Sequence, residues 1–136
     1  QYCDNKGPTW TVIRTNGGWI LGGYNPLSWQ DEGGYQYTKE AYLFTLKNPN
    51  GIPPTRYFCK ASRYRYGVYC SEWSGPTFGS GHDLTLWSPK GSSTHFPNGY
   101  HDTTDFVKAT FTGNKDGWLD TKEVEVYALS EALTIP

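Results

Sequence analysis

Short runs of β-branched and aromatic residues recur along the chain, and turn signals separate them. Residues 9–14 and 19–24 are two such runs. Asn16-Gly17-Gly18 lies between them and supplies the positive φ angles that a tight turn needs. The pattern therefore predicts a β-hairpin. Residues 41–47 form a continuous apolar run, which predicts a strand that is buried on both faces or nearly so.

Further strands are predicted over the rest of the chain. Residues 57–61 and 66–70 are expected to pair as a second hairpin, and a glycine-rich turn at 75–81 leads into a buried strand at 84–87. Few apolar positions occur in residues 88–105, which predicts one long surface loop. The stretch 30–37 is polar and glycine-rich and also predicts a loop.

Two strands, at 107–112 and 123–129, are predicted to close the chain. The alternation in the second places Val124 and Val126 on one face and the carboxylates on the other. Seven to nine short strands with little helix predict a mainly β protein with two packed antiparallel sheets, a β-sandwich. The 136 residues suit a single domain spanning 1–136.

Composition excludes some classes of partner. The chain carries 12 basic and 13 acidic residues, for a formal net charge of -1, without a basic cluster. This balance argues against binding to nucleic acid or to an anionic membrane surface. No apolar run reaches the ~18 residues that a membrane span needs, so we expect none. The chain begins at Gln1 and contains no Met, which is typical of a processed, secreted protein or of a fragment.

The cysteines leave the redox compartment open. The count is odd, which leaves the disulfide status of Cys3, Cys59 and Cys70 undetermined. Cys59 and Cys70 flank the second predicted hairpin, where they could form a cross-strand bridge or remain as buried free thiols. A reactive thiolate at Cys59 would need cationic neighbours, but on a strand the adjacent Lys60 points to the opposite face.

Residues 112–123 follow the twelve-residue register of a calcium loop. Its candidate ligands are Asn114, Asp116, Asp120 and Glu123, with a glycine at the sixth place. Thr112 stands where that register expects Asp, and the flanking residues have the pattern of strands rather than helices. A polar turn between the last two strands is the alternative interpretation.

The aromatic residues divide into two predicted groups. One group is expected in the core: Trp10, Trp19, Tyr24, Tyr42, Phe44, Phe78 and Trp87. The other falls in loops or hairpin tips, where an exposed ring could anchor a protein or stack on a sugar: Tyr35, Tyr37, Tyr64, Tyr66, Trp73 and Trp118. The second hairpin tip joins Arg63, Tyr64, Arg65 and Tyr66, and we expect Tyr64 and Arg65 to face solvent.

His82 and Asp83 follow the glycine-rich turn. We expect Gly79 or Gly81 at positive φ and Asp83 bonded to backbone amides, which is an architectural role; a binding site at His82 and Asp83 is the alternative. The sequence contains no Gly-x-Ser-x-Gly elbow and no His-x-x-x-His spacing. No catalytic residues are therefore assigned, and we expect the protein not to be an enzyme.

Four blocks in fixed order resemble the TLDc domain family. They are Cys3-Asp4-Asn5-Lys6-Gly7-Pro8-Thr9, Gly22-Gly23-Tyr24 leading to Ser28-Trp29, Gly75-Pro76-Thr77-Phe78-Gly79-Ser80-Gly81-His82-Asp83-Leu84, and Glu123-Val124-Glu125-Val126-Tyr127. The resemblance implies a cytoplasmic protein-binding module linked to oxidation resistance, with the vacuolar proton-pumping ATPase as partner. It also implies that the amino-terminal part of the family's domain is missing or divergent here.

A second hypothesis is an extracellular recognition domain on the same sandwich. It would bind carbohydrate through exposed Tyr and Trp rings, with calcium as the one candidate cofactor. A signal peptide before Gln1 or a native disulfide would favour this hypothesis over the first.

Overall fold

The computed structural model describes residues 7–27, 29, 34–70, 75–88, 91–101, 103 and 118–128. Strands account for most of these residues. In chain order the elements are β1 (Thr9–Thr15), β2 (Ile20–Asn25), β3 (Gly34–Gln36), β4 (Tyr42–Lys47), β5 (Thr55–Phe58), the 3₁₀-helix η1 (Ala61–Tyr66), β6 (Val68–Cys70), β7 (Thr77–Phe78), β8 (Leu84–Ser88), β9 (Gly91–Thr94), β10 (Trp118–Leu119) and β11 (Thr121–Ala128). No helix in this part of the chain is long and apolar enough to cross a membrane.

The strands form two antiparallel sheets. One has five strands in the order β11-β1-β2-β4-β5, and the other has six in the order β10-β9-β8-β7-β6-β3. The predicted β-sandwich is confirmed. The hairpin of β1 and β2 is also confirmed, with Trp10 opposite Tyr24 and Gly18 at φ +90° in the turn. The closing strand β11 pairs with β1 and places Val124 opposite Ile13.

Both sheets contribute to one core. Buried side chains of the five-stranded sheet include Ile13, Leu21, Leu43 and Tyr57, and those of the six-stranded sheet include Val68, Phe78, Leu84 and Leu86. The two sheets contact each other at Gly23, where an added Cβ would lie 2.6 Å from the Phe78 ring. The absence of a side chain at Gly23 therefore makes room for a large ring from the opposite sheet.

The second predicted hairpin is wrong. β5 belongs to the five-stranded sheet, and β6 belongs to the six-stranded sheet. Helix η1 connects them, so residues 57–61 and 66–70 do not pair. Cys59 is a buried free thiol and does not bridge to Cys70. Residues 62–65 lie between two apolar runs, a pattern that suggested a tight turn. In the structure they belong to η1, which leads the chain from one sheet to the other.

Both long predicted loops contain strands. Residues 34–36 form β3, which pairs with β6, and residues 91–94 form β9, which pairs with β8. The chain after β9 contributes two side chains to the core, since Phe96 is 2% exposed and Tyr100 is fully buried. The expectation of one surface loop over 88–105 was therefore wrong. The strand predicted at 107–112 lies outside the described residues.

Candidate functional site

Asp83 joins the glycine-rich block to the segment after β9. Its carboxylate is fully buried and accepts three backbone N–H bonds, from Asn98 at 2.7 Å, Gly99 at 2.9 Å and Tyr100 at 3.1 Å. Burial raises the pKa of Asp83, and this effect outweighs the opposite effect of the three backbone bonds. The predicted architectural role agrees with this geometry, although the amides that Asp83 binds are about 15 residues away in sequence.

The segment held by Asp83 also ties the two sheets together. The Tyr100 hydroxyl donates to the carbonyl of Gly67, the residue before β6, at 2.7 Å. Tyr100 also forms an isolated β-bridge with Cys59, the residue after β5. The Lys60 amide donates to the Gly99 carbonyl at 2.8 Å. Asp83 thus fixes the ends of both strands that flank η1, and through them it fixes the position of η1.

The turn before Asp83 has unusual backbone angles. Gly79 has φ +96°, which confirms that one of the two predicted glycines takes a positive angle. His82 has φ +55°, an uncommon value for a residue with a Cβ atom. The His82 amide donates to the Gly79 carbonyl at 3.1 Å and closes the turn. This conformation turns the His82 ring toward the six-stranded sheet.

His82 meets a group of tyrosines there. The ring centroid of Tyr69 lies 5.0 Å from that of His82, and Tyr35 lies 4.8 Å from Tyr69 and 5.1 Å from Tyr66. Tyr35 also donates its hydroxyl to the Ser80 carbonyl at 2.9 Å. Beside it, Tyr37 contacts Tyr64 with centroids 6.1 Å apart. We call these residues the tyrosine surface: Tyr35, Tyr37, Tyr64, Tyr66, Tyr69 and His82.

The structure thus brings together three of the predicted binding residues, Tyr64, Tyr66 and His82. The exposed arginines Arg63 and Arg65 lie beside them on η1. The outward position expected for Arg65 is confirmed, but Tyr64 is half-buried and packs against the core. Asp83 lies beneath this surface, bonded to backbone. Trp73 lies outside the described residues.

Burial changes the protonation of two groups in the tyrosine surface. It raises the pKa of Tyr35, with smaller contributions from Tyr69, Tyr66 and Asp83. It lowers the pKa of His82, and the nearby His95 lowers it further. Both rings are therefore uncharged near neutral pH, and the positive charge of this region comes from Arg63 and Arg65.

Two members of the predicted calcium loop are described. Asp120 accepts the Asn16 side-chain amide at 2.7 Å, and Glu123 pairs with Arg14 at 3.0 Å. Asn114 and Asp116 lie outside the described residues. Among the residues that are described, no three His, Cys, Asp or Glu side chains are grouped to hold a metal. Calcium binding at residues 112–123 stays a prediction.

Cys59 lies in a non-activating environment. Burial and, to a smaller extent, the nearby Asp83 carboxylate together raise the pKa of its thiol to about 11. The Cys59 sulfur donates to the Arg63 carbonyl at 3.4 Å. This thiol is therefore protonated at neutral pH, whereas a peroxide-reducing cysteine acts as a thiolate.

Several aromatics that were expected in the core lie on the outer face of the five-stranded sheet. Trp10, Tyr24 and Tyr42 are half-buried, and they stand side by side with ring centroids 4.8 and 5.1 Å apart. The alternation of β1 turns its threonines inward, since Thr9 and Thr11 are buried. Both faces of β1 carry apolar side chains, so its pattern did not reveal which face is inside.

The sequence of this two-sheet domain matches a known protein family over most of its length. A scan against protein-family models matches residues 1–130 to the TLDc domain. The chain belongs to the TLDc domain family. No curated protein matches the sequence. In this TLDc domain, the block at 75–84 contains β7 and the Asp83 turn, and Gly22-Gly23-Tyr24 lies in the middle of β2. These two blocks therefore include the Gly23–Phe78 contact between the sheets and the Asp83 carboxylate that binds the segment after β9.

Proposed function

We propose that this TLDc domain is a protein-binding module and that its partner docks on the tyrosine surface. The observation that carries the proposal is the exposure of Tyr35 and Tyr37, at 38% and 60%, beside Arg63 and Arg65. Tyrosine and arginine are the residue types enriched at binding hot spots. Rings fixed by one another lose little conformational entropy when a partner covers them.

The charge of this surface suggests an acidic partner. Arg63 and Arg65 are exposed in the last turn of η1, whose first turn carries no acidic residue. A carboxylate of the partner could bind either guanidinium at the edge of the ring cluster. Family resemblance suggests the vacuolar proton-pumping ATPase, and a role in protection against oxidation would follow from that interaction.

The proposal also holds that the domain acts by binding and not by catalysis. Its support is the state of the groups that could react: Cys59 is a protonated thiol, His82 packs against Tyr69, and Asp83 is occupied by three backbone amides. Each of these side chains has a structural role that a catalytic role would disturb.

The experiment is a binding titration of purified vacuolar ATPase against the domain and two matched charge reversals. Arg65→Glu changes an exposed residue of the tyrosine surface, and Lys122→Glu changes an exposed residue of β11 on the other sheet. We expect Arg65→Glu to weaken binding by about tenfold or more and Lys122→Glu to leave it unchanged. Equal effects of both reversals would contradict the assigned surface, and no binding by the wild type would contradict the proposed partner.

Carbohydrate is the second candidate ligand for the same rings. Tyr37 offers the most exposed ring of the tyrosine surface, and a sugar face stacks on such rings. A glycan-array measurement with the wild type and Tyr37→Ala distinguishes the two hypotheses. Binding of a glycan that is lost in Tyr37→Ala would favour recognition of carbohydrate over recognition of a protein.

A further inference from the structure

The outer face of the five-stranded sheet carries a second surface, which is independent of the proposed function. Strand pairing places one aromatic residue from every strand in a single row across this face. In the order of the strands the row is Tyr127, Trp10, Tyr24, Tyr42 and Phe58. We call it the aromatic row. Its end members Tyr127 and Phe58 are each 49% exposed.

A second row lies beside the first, two residues along each strand. Its members in the same strand order are Glu125, Val12, Gly22, Phe44 and Arg56. We call it the glycine row because its central position has no side chain. An added Cβ at Gly22 would lie 2.7 Å from the Phe44 ring and would also collide with the Thr11 carbonyl. Six members of the two rows line a groove of about 680 Å³ together with Leu46, Pro54 and Thr55.

The two ends of the glycine row carry opposite charge. At the β11 end, the Arg14 guanidinium lies 3.0 Å from the Glu123 carboxylate and 3.8 Å from the Glu125 carboxylate. One positive charge therefore pairs with two negative charges, and this end has a net negative charge. The Tyr127 hydroxyl donates to Glu125 at 2.8 Å and holds that carboxylate in place. At the β5 end, Arg56 lies over the Tyr42 ring at 4.9 Å and forms no ion pair among the described side chains.

Because the two ends of the glycine row carry opposite charge, the face is complementary to a second copy of itself in which the order of the strands is reversed. We propose that two copies of the chain pack these sheet faces together about a two-fold axis that lies in the interface, above β2 and parallel to the strands. The axis would place Glu125 of each copy against Arg56 of the other and would bring the two Gly22 positions together. It would also match the aromatic row with itself, Tyr127 against Phe58 and Trp10 against Tyr42. A two-fold interface requires a self-complementary patch of this kind.

The size of the face predicts a weak dimer. Five strands at about 4.8 Å spacing, each with about five residues at about 3.4 Å per residue, give roughly 400 Å² per copy. A stable complex usually buries about 800 Å² on each partner. We therefore expect association in the micromolar to millimolar range and a dependence on salt, because the two charge pairs lie at the rim.

Charge reversal tests the geometry. Arg56→Glu and Glu125→Arg each place like charges together at both ends of the two-fold interface. Sedimentation equilibrium of the whole chain should show dimer for the wild type, and each variant should associate at least about tenfold more weakly. An equimolar mixture of the two variants should recover the wild-type affinity as a one-to-one heterodimer, since both opposite-charge pairs are restored. Lys39→Glu changes an exposed residue between β3 and β4, outside the five-stranded sheet, and should dimerise like the wild type.

Three results would overturn the proposal. They are a wild type that stays monomeric at millimolar concentration, single reversals that dimerise normally, and a mixture that does not recover association. Unfolding curves of each variant show whether the substitutions leave the fold intact. If a reversal destabilises the chain, Phe58→Ser and Tyr127→Ser probe the same face without a change of charge. Both must then weaken the dimer, and a wild-type affinity in either overturns the proposal.

Discussion

The Asp83 carboxylate accepts the backbone N–H of Gly99 at 2.9 Å, and the two residues are 16 positions apart. This bond connects the glycine-rich turn before β8 with the buried segment after β9. The Gly99 carbonyl in turn accepts the Lys60 amide, beside η1. A single buried carboxylate therefore determines where η1 and the tyrosine surface lie relative to both sheets.

Asp83→Asn should destabilise the fold by about 2 to 3 kcal/mol, the range expected when buried donors lose a charged acceptor. The amide has one acceptor oxygen, and even when that oxygen accepts from Asn98 and Tyr100, the NH₂ group would face the N–H group of Gly99. Urea unfolding measures the effect. Asp120→Asn, which changes an exposed carboxylate bonded to Asn16, is the control and should cost less than about 0.5 kcal/mol. Equal losses for the two variants would contradict the role of Asp83.

Gly79→Ala should cost more than Gly18→Ala. Both glycines have similar positive angles, φ +96° and φ +90°, so alanine strains the backbone at each by about 1 kcal/mol. A Cβ at Gly79 would also collide with the Asp83 carboxylate, whereas a Cβ at Gly18 meets open space. The difference between the two unfolding free energies measures the displacement of Asp83, and we expect it to be about 1 kcal/mol or more. Identical values would show that the carboxylate moves aside without cost.

The sequence predicts the β-sandwich and the strands whose pattern is regular. The hairpin of β1 and β2 follows from two apolar runs around a glycine turn. β3 and β9 are missed because Gly34–Gln36 and Gly91–Thr94 have no apolar alternation and gain their order from neighbouring strands. The burial of Tyr100 is missed for a similar reason, since it depends on distant hydrogen bonds to Asp83.

The candidate sites show the same limit. The sequence identifies each of the rings separately: Tyr35, Tyr64, Tyr66 and His82. It does not predict that Tyr35 contacts Tyr66 and His82, because those contacts depend on the pairing of β3 with β6. The aromatic row is harder to predict, because it requires the register of all five strands. Each strand alone offers one ring that would fit equally well inside a core.

The contribution of His82 to the stability of the fold should fall as the pH decreases from about 7 to about 5, whereas Asp83, whose folded pKa is raised, contributes in the opposite direction. The folded pKa of His82 lies below the ordinary value because of burial and His95. In the window between the lowered pKa and about 6.5, the unfolded chain binds more protons at His82 than the folded chain does, so acid favours unfolding through this residue. His82→Asn removes this titration and tolerates the positive φ.

Urea unfolding of the wild type and His82→Asn over this pH range measures the contribution of His82. The slope of stability against pH should be smaller in the variant. The contribution of Asp83 is present in both proteins and cancels in the comparison. Parallel curves for wild type and His82→Asn would contradict the prediction.

Cys59 should react slowly in the folded protein. With its pKa raised to about 11, roughly one thiol in a thousand is ionised at pH 8, compared with about a quarter at the ordinary pKa of about 8.5. Cys59 is also 6% exposed, so a reagent must wait for the strand end to open. The variant Cys3→Ser/Cys70→Ser isolates this thiol. Its labelling by a disulfide reagent should be at least about a hundredfold slower in the native state than in urea.

The raised pKa of Cys59 also predicts no turnover of hydrogen peroxide by the wild type. Rapid labelling of Cys59 in the native state, or peroxide turnover that Cys59→Ser abolishes, would show an activated thiolate and would contradict the proposal that the domain is not an enzyme.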